Sequence, residues 1–256
     1  MKYYVVADVH SYYEEFVNAI GNKGFFIEKE PHKLVVCGDL FDRGNQSAEL
    51  QEFILELMKK DKVILIKGNH EDLMMDLLNS AEYYFKNGIA FSHHWSNGTV
   101  KTLFDLTGMY GGNYTPKQVV NKMSKTPYIK SFIPSMVDYY ETEHYIFVHG
   151  WIPTIVLRDI GYKYLPINEW RTAGAEQWEK ARWINGMDAW SQGIKVDGKT
   201  VVCGHYHTSW GHSHLEGHGV EFGEKADFSP FYGDGIIAID GCTALTRRVN
   251  CIVLED

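Results

Sequence analysis

The stretch KLVVCGDLFDRG, Lys33 to Gly44, decides the fold. Its first half is an unbroken apolar run of strand length, rich in valine, which fits a strand buried on both faces. Its second half breaks into a turn in which Asp39, Asp42 and Arg43 crowd between Gly38 and Gly44. Glycines allow backbone angles that strain other residues. Charged groups directly after a buried strand stand at a sheet edge. A salt bridge from a carboxylate to Arg43 is the plain alternative to a binding role, because an unpaired buried carboxylate is costly.

The same design recurs on either side. KYYVVADVH ends in Asp8 and His10, and KVILIKGNHE ends in Asn69 and His70. Asp8, Asp39 and Asn69 are separated by 31 and 30 residues, the length of one βα unit. Helical spacing occurs around Tyr12 to Ile20, Ser47 to Lys60 and Asp72 to Phe85, each segment long enough for a crossover helix. The order βαβαβ predicts parallel strands with right-handed crossovers. All three polar groups then emerge at the carboxyl edge of one sheet, where open α/β sheets place their sites. In Asp8-x-His10 a continuing strand would turn both side chains to one face; a turn aspartate beside a surface histidine is the bland reading.

Further apolar runs, HYIFVHG, TVVCGH, GIIAID and RVNCIVL, read as strands. His149 follows the first of these, and His205 and His207 follow the second. Taken singly, each histidine fits a hydrogen-bonded position at the core edge, and Asp42 fits a helix cap. Together Asp8, His10, Asp39, Asn69, His149, His205 and His207 are seven oxygen or nitrogen donors at five strand ends, which points to a metal centre.

Residues 88–142 lack a buried-strand run and read as a mainly helical insertion or cap. With no repeat or linker, residues 1–256 read as one elaborated domain. The net charge of −8 gives no basic field for a nucleic acid or an anionic membrane. There is neither a signal-like leader nor an apolar run of the roughly 18 residues a membrane span needs, so the expectation is a cytoplasmic protein. Cys37, Cys203, Cys242 and Cys251 sit in apolar runs without CxxC spacing and read as buried strand residues.

In this order DxH, GDxxDRG, GNHE, HG and GHxH resemble the five-block signature of the calcineurin-like metallophosphoesterases. The GDxxDRG and GNHE forms are similar to the phosphoprotein phosphatase branch, which holds the bacteriophage lambda type of Ser/Thr phosphatase and the symmetrical dinucleoside tetraphosphatases. The motifs run from Asp8 to His207, with added similarity in GNHEDLMMDLL, HWSNG and the closing AIDGCTAL and NCIVL segments.

The resemblance implies an α/β fold, a βαβ-built β-sandwich flanked by helices in α/β/β/α layers. It implies two divalent cations, manganese by preference, with iron or zinc also suited to mixed nitrogen and oxygen donors. Asp8, His10 and Asp39 would hold the first, and Asp39, Asn69, His149 and His205 the second. His207 would complete the first shell as in GHxH relatives, although the phosphoprotein phosphatase branch usually lacks that histidine. A hydroxide bridging the two metals would attack phosphorus, Arg43 would grip phosphate, and His70, oriented by Asp42, would protonate the leaving oxygen. A second phosphate-binding arginine is expected after His149. Arg182 matches best, with Arg171 and Arg158 as alternatives.

Ala7 and Ser11 stand where relatives have glycines and would narrow the floor of the site, and Trp151 would wall the cleft or pack in the core. The implied activity is hydrolysis of phosphomonoesters, on a phosphoprotein or a small phosphoester. Symmetrical cleavage of dinucleoside polyphosphates is the alternative, and it needs a basic, aromatic groove in the insertion. A nuclease is disfavoured by the motif forms and the acidic balance, and a scaffold without chemistry by the complete donor set. His212, His214 and His218 read as a solvated glycine-rich loop or as substrate contacts.

Overall fold

The computed structural model describes residues 1–158 and 161–256. Strands β1 (Lys2–Val6), β2 (His32–Cys37) and β3 (Val63–Ile66) alternate with helices α1 (Tyr13–Asn22), α2 (Ser47–Lys59) and α3 (Asn69–Asn79). As the βαβαβ order predicts, the three strands are parallel, with Val6 beside Val36 and Cys37 beside Ile66. The chain continues through α4 (Ala81–Lys86), α5 (His93–Ser96), α6 (Thr99–Thr107) and α7 (Pro116–Met123). It then forms β4 (Tyr140–Glu141), β5 (Tyr145–Phe147), β6 (Thr154–Leu157), β7 (Lys163–Pro166), β8 (Thr200–Cys203), β9 (Phe231–Gly233), β10 (Ile236–Ala238) and β11 (Cys251–Glu255).

Two sheets result. The first has the order β11-β1-β2-β3, with β11 antiparallel to β1; the second has the order β4-β5-β8-β10-β9, with β5, β8 and β10 parallel. The pleat explains why their strands are apolar throughout, since alternate side chains enter different cores. Tyr3, Val5, Val35 and Cys37 meet Phe147, Val202 and Ile237 between the sheets. Tyr4, Val6, Leu34 and Val36 face outward beneath Phe16, Ile54 and Leu77 of α1, α2 and α3. On the far side Ile146, Val201, Cys203 and Ile236 pack against Trp178 and Met187. The layers are α/β/β/α, and each buried branched or aromatic side chain contributes about 1.5–3 kcal/mol. Val100, Leu103, Val119 and Met123 of α6 and α7 join the same outer core as α1 and α2. Among the described residues no helix is long and apolar enough to cross a membrane.

Two elements differ from the sequence reading. The hairpin β6–β7 was not anticipated, because its strands are half exposed, as at Ile155 and Leu165, and carry no buried run. The expected glycine-rich loop after His207 is a helix, Thr208–His214, and His212 is buried in it, bonded to Glu216 Oε2 at 2.7 Å and to the Ser229 carbonyl at 3.1 Å. Gly211 serves close packing there, since a Cβ would stand 2.5 Å from Met187 Sδ. His214 stacks on Trp210 at the exposed side.

Candidate metal centre and active site

The strands stop just before the chemistry begins. Asp8, Asp39, His149 and His205 each lie two residues beyond the end of β1, β2, β5 and β8, and Asn69 opens α3 after β3. The pleat does not aim them, contrary to the expectation for Asp8 and His10. Asp8, His10, Asp39, Asp42, Arg43 and His205 all have left-handed backbone, with φ between 50° and 75°. Such angles cost non-glycine residues stability and cluster where function needs a geometry the regular structure does not provide. Gly38 enters this turn at φ 77°, and a Cβ there would stand 2.3 Å from His149 Nδ1.

These residues line a cleft of about 340 Å³ that includes Asp8, His10, Asp39, Asn69, His70 and His205. Asp39 is central. Its Oδ1 lies 3.3 Å from His149 Nε2, and its Oδ2 lies 3.7 Å from His10 Nε2. Asn69 Oδ1 faces His149 Nε2 at 2.7 Å and His205 Nδ1 at 3.0 Å. The far ring nitrogens of His10 and His149 donate to the carbonyls of Phe41 and Cys37 at 3.0 and 2.9 Å, which leaves each Nε2 lone pair turned inward. Asp8 Oδ2 accepts from the His205 amide at 2.9 Å. His10, Asp39 and His70 form one set of converging ligand atoms, and Asp39, His149 and His205 another.

The electrostatics fit cations. Burial, then the charges of Asp240 and Asp39, push Asp8 well above the usual carboxylate range, and burial first of all raises Asp240 to about 6. Burial also lowers His10 and His149, and takes His205 down to about 3, so these imidazoles offer neutral lone pairs. Repelling carboxylates beside neutral imidazoles are short of positive charge, which divalent cations supply.

His70 sits apart in character. Burial opposes its charge, but Asp39 and Asp42 outweigh that and raise its pKa. Its Nδ1 is 2.7 Å from Asp42 Oδ2, and its Nε2 is 3.3 Å from Arg43 Nη2. Asp42 is held from α6: Thr102 Oγ1 donates to Oδ1 at 2.7 Å, Thr99 Oγ1 donates to Oδ2 at 2.8 Å, and the Asp42 amide donates to Thr102 Oγ1 at 3.0 Å. Thr102→Val keeps the shape and removes the hydroxyl, leaving buried polar groups unpaired. It is expected to cost about 1–3 kcal/mol in urea unfolding. A cost within about 0.5 kcal/mol, as for an ordinary surface change, would show that the pairing does not matter. Arg43 is exposed and turns its guanidinium to the cleft, so the ion pair offered as its plain alternative is not what holds it.

Of the expected residues, Arg182 is not brought into this constellation, and His207 reaches the cleft already bonded to a partner. Arg182 is buried, with Nε and Nη2 on Asp72 at 2.6 and 3.2 Å and Nη1 on Asp138 at 2.6 Å, so its fork is already engaged away from the cleft. Arg171 is likewise bound to Glu141, and among the described residues Arg43 is the arginine lining the cleft. His207 does line the cleft, but its Nε2 bonds Glu221 Oε1 at 2.9 Å. The strand condition behind its assignment fails, since β8 ends at Cys203 and His205 turns left-handed before His207 is reached. Ala7 packs between the sheets and Ser11 bonds Ser47, so neither narrows the floor, and Trp151 is core.

Residues the sequence reading missed also line the cleft, among them Asp240, Asn97, Trp183 and Tyr206. Asp240 lies two residues beyond β10, so the strand-end rule applied to GIIAID finds it.

A family model described as calcineurin-like phosphoesterase matches residues 1–228. The chain belongs to this family. Within 76 residues this calcineurin-like phosphoesterase is 32% identical to the asymmetrical bis(5'-nucleosyl)-tetraphosphatase PrpE of Bacillus velezensis, covering 27% of this chain and 30% of that protein. Over 71 residues it is 37% identical to the symmetrical bis(5'-nucleosyl)-tetraphosphatase of Buchnera aphidicola, covering 28% and 24%. The matches thus span less than a third of these relatives' length. The fold is shared with a cold-active protein-tyrosine phosphatase of a psychrophilic Shewanella, at a TM-score of 0.51 and 15% identity, over all of this chain and 75% of that one.

Proposed function

We propose that this calcineurin-like phosphoesterase is a metal-dependent hydrolase of phosphate esters. The observation that carries this reading is the division of Asp39, whose two oxygens face two separate sets of donors, as one carboxylate joining two cations requires. Asp8, His10 and Asp39 would hold one ion, and Asp39, Asn69, His149 and His205 the other. Bound there, two divalent cations supply charge against the phosphoryl oxygens and a water acidified towards neutrality. Arg43 grips the phosphate with its forked donors. His70 delivers the Nε2 proton to the leaving oxygen, with Asp42 fixing the opposite ring nitrogen. Manganese is the proposed metal on the family resemblance, since nitrogen and oxygen donors without thiolate suit iron and zinc as well. A cytoplasmic location accords with four free cysteines.

For the substrate, a phosphoserine or phosphothreonine ester, or a small phosphomonoester, is the first reading. Dinucleoside polyphosphates are the second, favoured by the names of the relatives above. Protein stripped of metal and refilled with manganese is expected to regain turnover on p-nitrophenyl phosphate, with a phosphopeptide and diadenosine tetraphosphate separating the two readings. Iron and zinc refills test the choice of metal. No metal-dependent hydrolysis of any substrate sinks the proposal.

A further inference from the structure

The segment HHWSNG, His93 to Gly98, holds two histidines that the proposed mechanism does not use. His93 and His94 open α5, and both turn towards Asp76, which lies further along the helix that Asn69 and His70 begin. Asp76 Oδ2 is 3.0 Å from His94 Nε2 and 3.9 Å from His93 Nε2. The three ligand atoms offered by these residues stand within 4.8 Å of one another, from two separate helices.

A hydrogen bond between His94 and Asp76 explains half of this arrangement. It does not explain His93, whose Nε2 is too far from the oxygen for such a bond. The His93 side chain is 51% exposed and free to turn to water, yet its ring lies beside that of His94, with centroids 4.0 Å apart, and presents its Nε2 to the same oxygen. Zinc bonds of about 2.0–2.2 Å in a tetrahedron place neighbouring ligand atoms roughly 3.4 Å apart. The distances of 3.0 and 3.9 Å straddle that spacing.

The surroundings suit a cation. Among the described residues no lysine or arginine pairs with Asp76. The Tyr84 hydroxyl donates to Asp76 Oδ2 at 2.8 Å, in the way outer partners orient a ligating carboxylate. His94 is fully buried and its Nδ1 has no hydrogen-bond partner, a cost offset only by a strong contact at Nε2. Burial, then the charge of His93, lowers the pKa of His94, so its imidazole is neutral and can offer a lone pair. Asp76 is half exposed, and water can complete the fourth position.

We infer that Asp76, His93 and His94 form a zinc site, separate from the metal centre, that pins α5 to α3. Two imidazoles and a carboxylate bind zinc more tightly than manganese, which stands at the weak end of the divalent series. The site reaches the cleft from behind at two points. Helix α3 begins with Asn69 and His70, and Gly98, just past α5, is pressed onto the turn of Arg43, where a Cβ would stand 2.3 Å from the Arg43 nitrogen. The inference does not depend on the phosphoesterase reading.

The test counts zinc by elemental analysis on the metal-stripped full chain after dialysis against zinc, in the parent protein, His93→Ala and Asp76→Asn. Phe91→Ala, exposed and outside the cluster, is the control. The parent and Phe91→Ala are expected to hold one equivalent more than the other two. Chelator competition on His93→Ala should show that equivalent weakened by more than the roughly 10–100-fold that loss of a mere outer partner costs. Zinc should also raise the unfolding midpoint of the parent further than that of His93→Ala.

Equal zinc counts and equal affinities in the parent and the variants overturn the inference, whatever the count at the metal centre, and leave the phosphoesterase reading untouched. So does an extra equivalent that appears with manganese and not with zinc. If Asp76→Asn fails to fold, His93→Ala decides alone, since its side chain is half exposed and outside the core.

Discussion

Replacing His70 by asparagine is expected to lower kcat on alkyl phosphates by roughly 100 to 10,000-fold, the usual contribution of a placed general acid, with metal content unchanged. The geometry sets the terms. Asp42 Oδ2, held by Thr99, faces His70 Nδ1 at 2.7 Å. An ionised carboxylate only accepts, so Nδ1 carries the hydrogen and Nε2 is the nitrogen left for chemistry. Asparagine keeps a donor near the Nδ1 position and removes the acid. A good leaving group such as p-nitrophenolate needs little protonation, so its turnover should fall far less. His70 also converges with His10 and Asp39, which makes a ligand role the rival explanation. Metal analysis separates them: loss of one equivalent in His70→Asn, or an equal fall for both leaving groups, removes His70 from the acid role.

How far the sequence predicted this molecule depends on how local each determinant is. Val5, Val35 and Val202 sit in runs apolar on both faces, so their strands were legible and the βαβαβ order made the first three parallel. Which strands share a sheet was not legible from the runs themselves, because side chains bound for different cores are equally apolar. The separation into sheets came from family resemblance. The hairpin β6–β7 had no such run.

The site divides along the same line. Asp8, Asp39, Asn69, His149 and His205 are marked locally, by a polar residue just past a buried strand, and the fold brings them together. Asp240 carries the same mark but has no second motif residue beside it. Arg182 failed because its partners, Asp72 and Asp138, are 110 and 44 residues away, and nothing near it in the chain announces that its donors are taken. For His207 the strand argument does not hold, because a period-2 pattern stops at the end of β8 and the backbone turns left-handed at His205, although the residue does reach the cleft.

Glu71→Ala should be the most destabilising single change next to the cleft, although Glu71 ligates nothing in the proposed mechanism. Fully buried, it accepts from the amides of Gly68 at 2.7 Å, Asp39 at 3.1 Å and Leu40 at 3.1 Å, tying the turn after β3 to the turn after β2. Burial and the nearby Asp39 charge raise its pKa to about 7, and the amides of Gly68 and Leu40 oppose that shift. Alanine leaves all three buried donors without a partner. At about 1–3 kcal/mol each, reduced where water enters the vacated space, the expected loss is about 3–5 kcal/mol in urea unfolding. That is a large share of the roughly 5–15 kcal/mol by which a domain is stable. Glu71→Gln retains an oxygen for Gly68 and Asp39 and fails only Leu40, so about 1–2 kcal/mol is expected from one lost acceptor. The order of the two variants carries the argument. Equal losses would mean that the charge, rather than the number of amides served, is what matters. A loss under about 1 kcal/mol for alanine, the middle of the range for ordinary substitutions, would mean that the two turns are held together by something else.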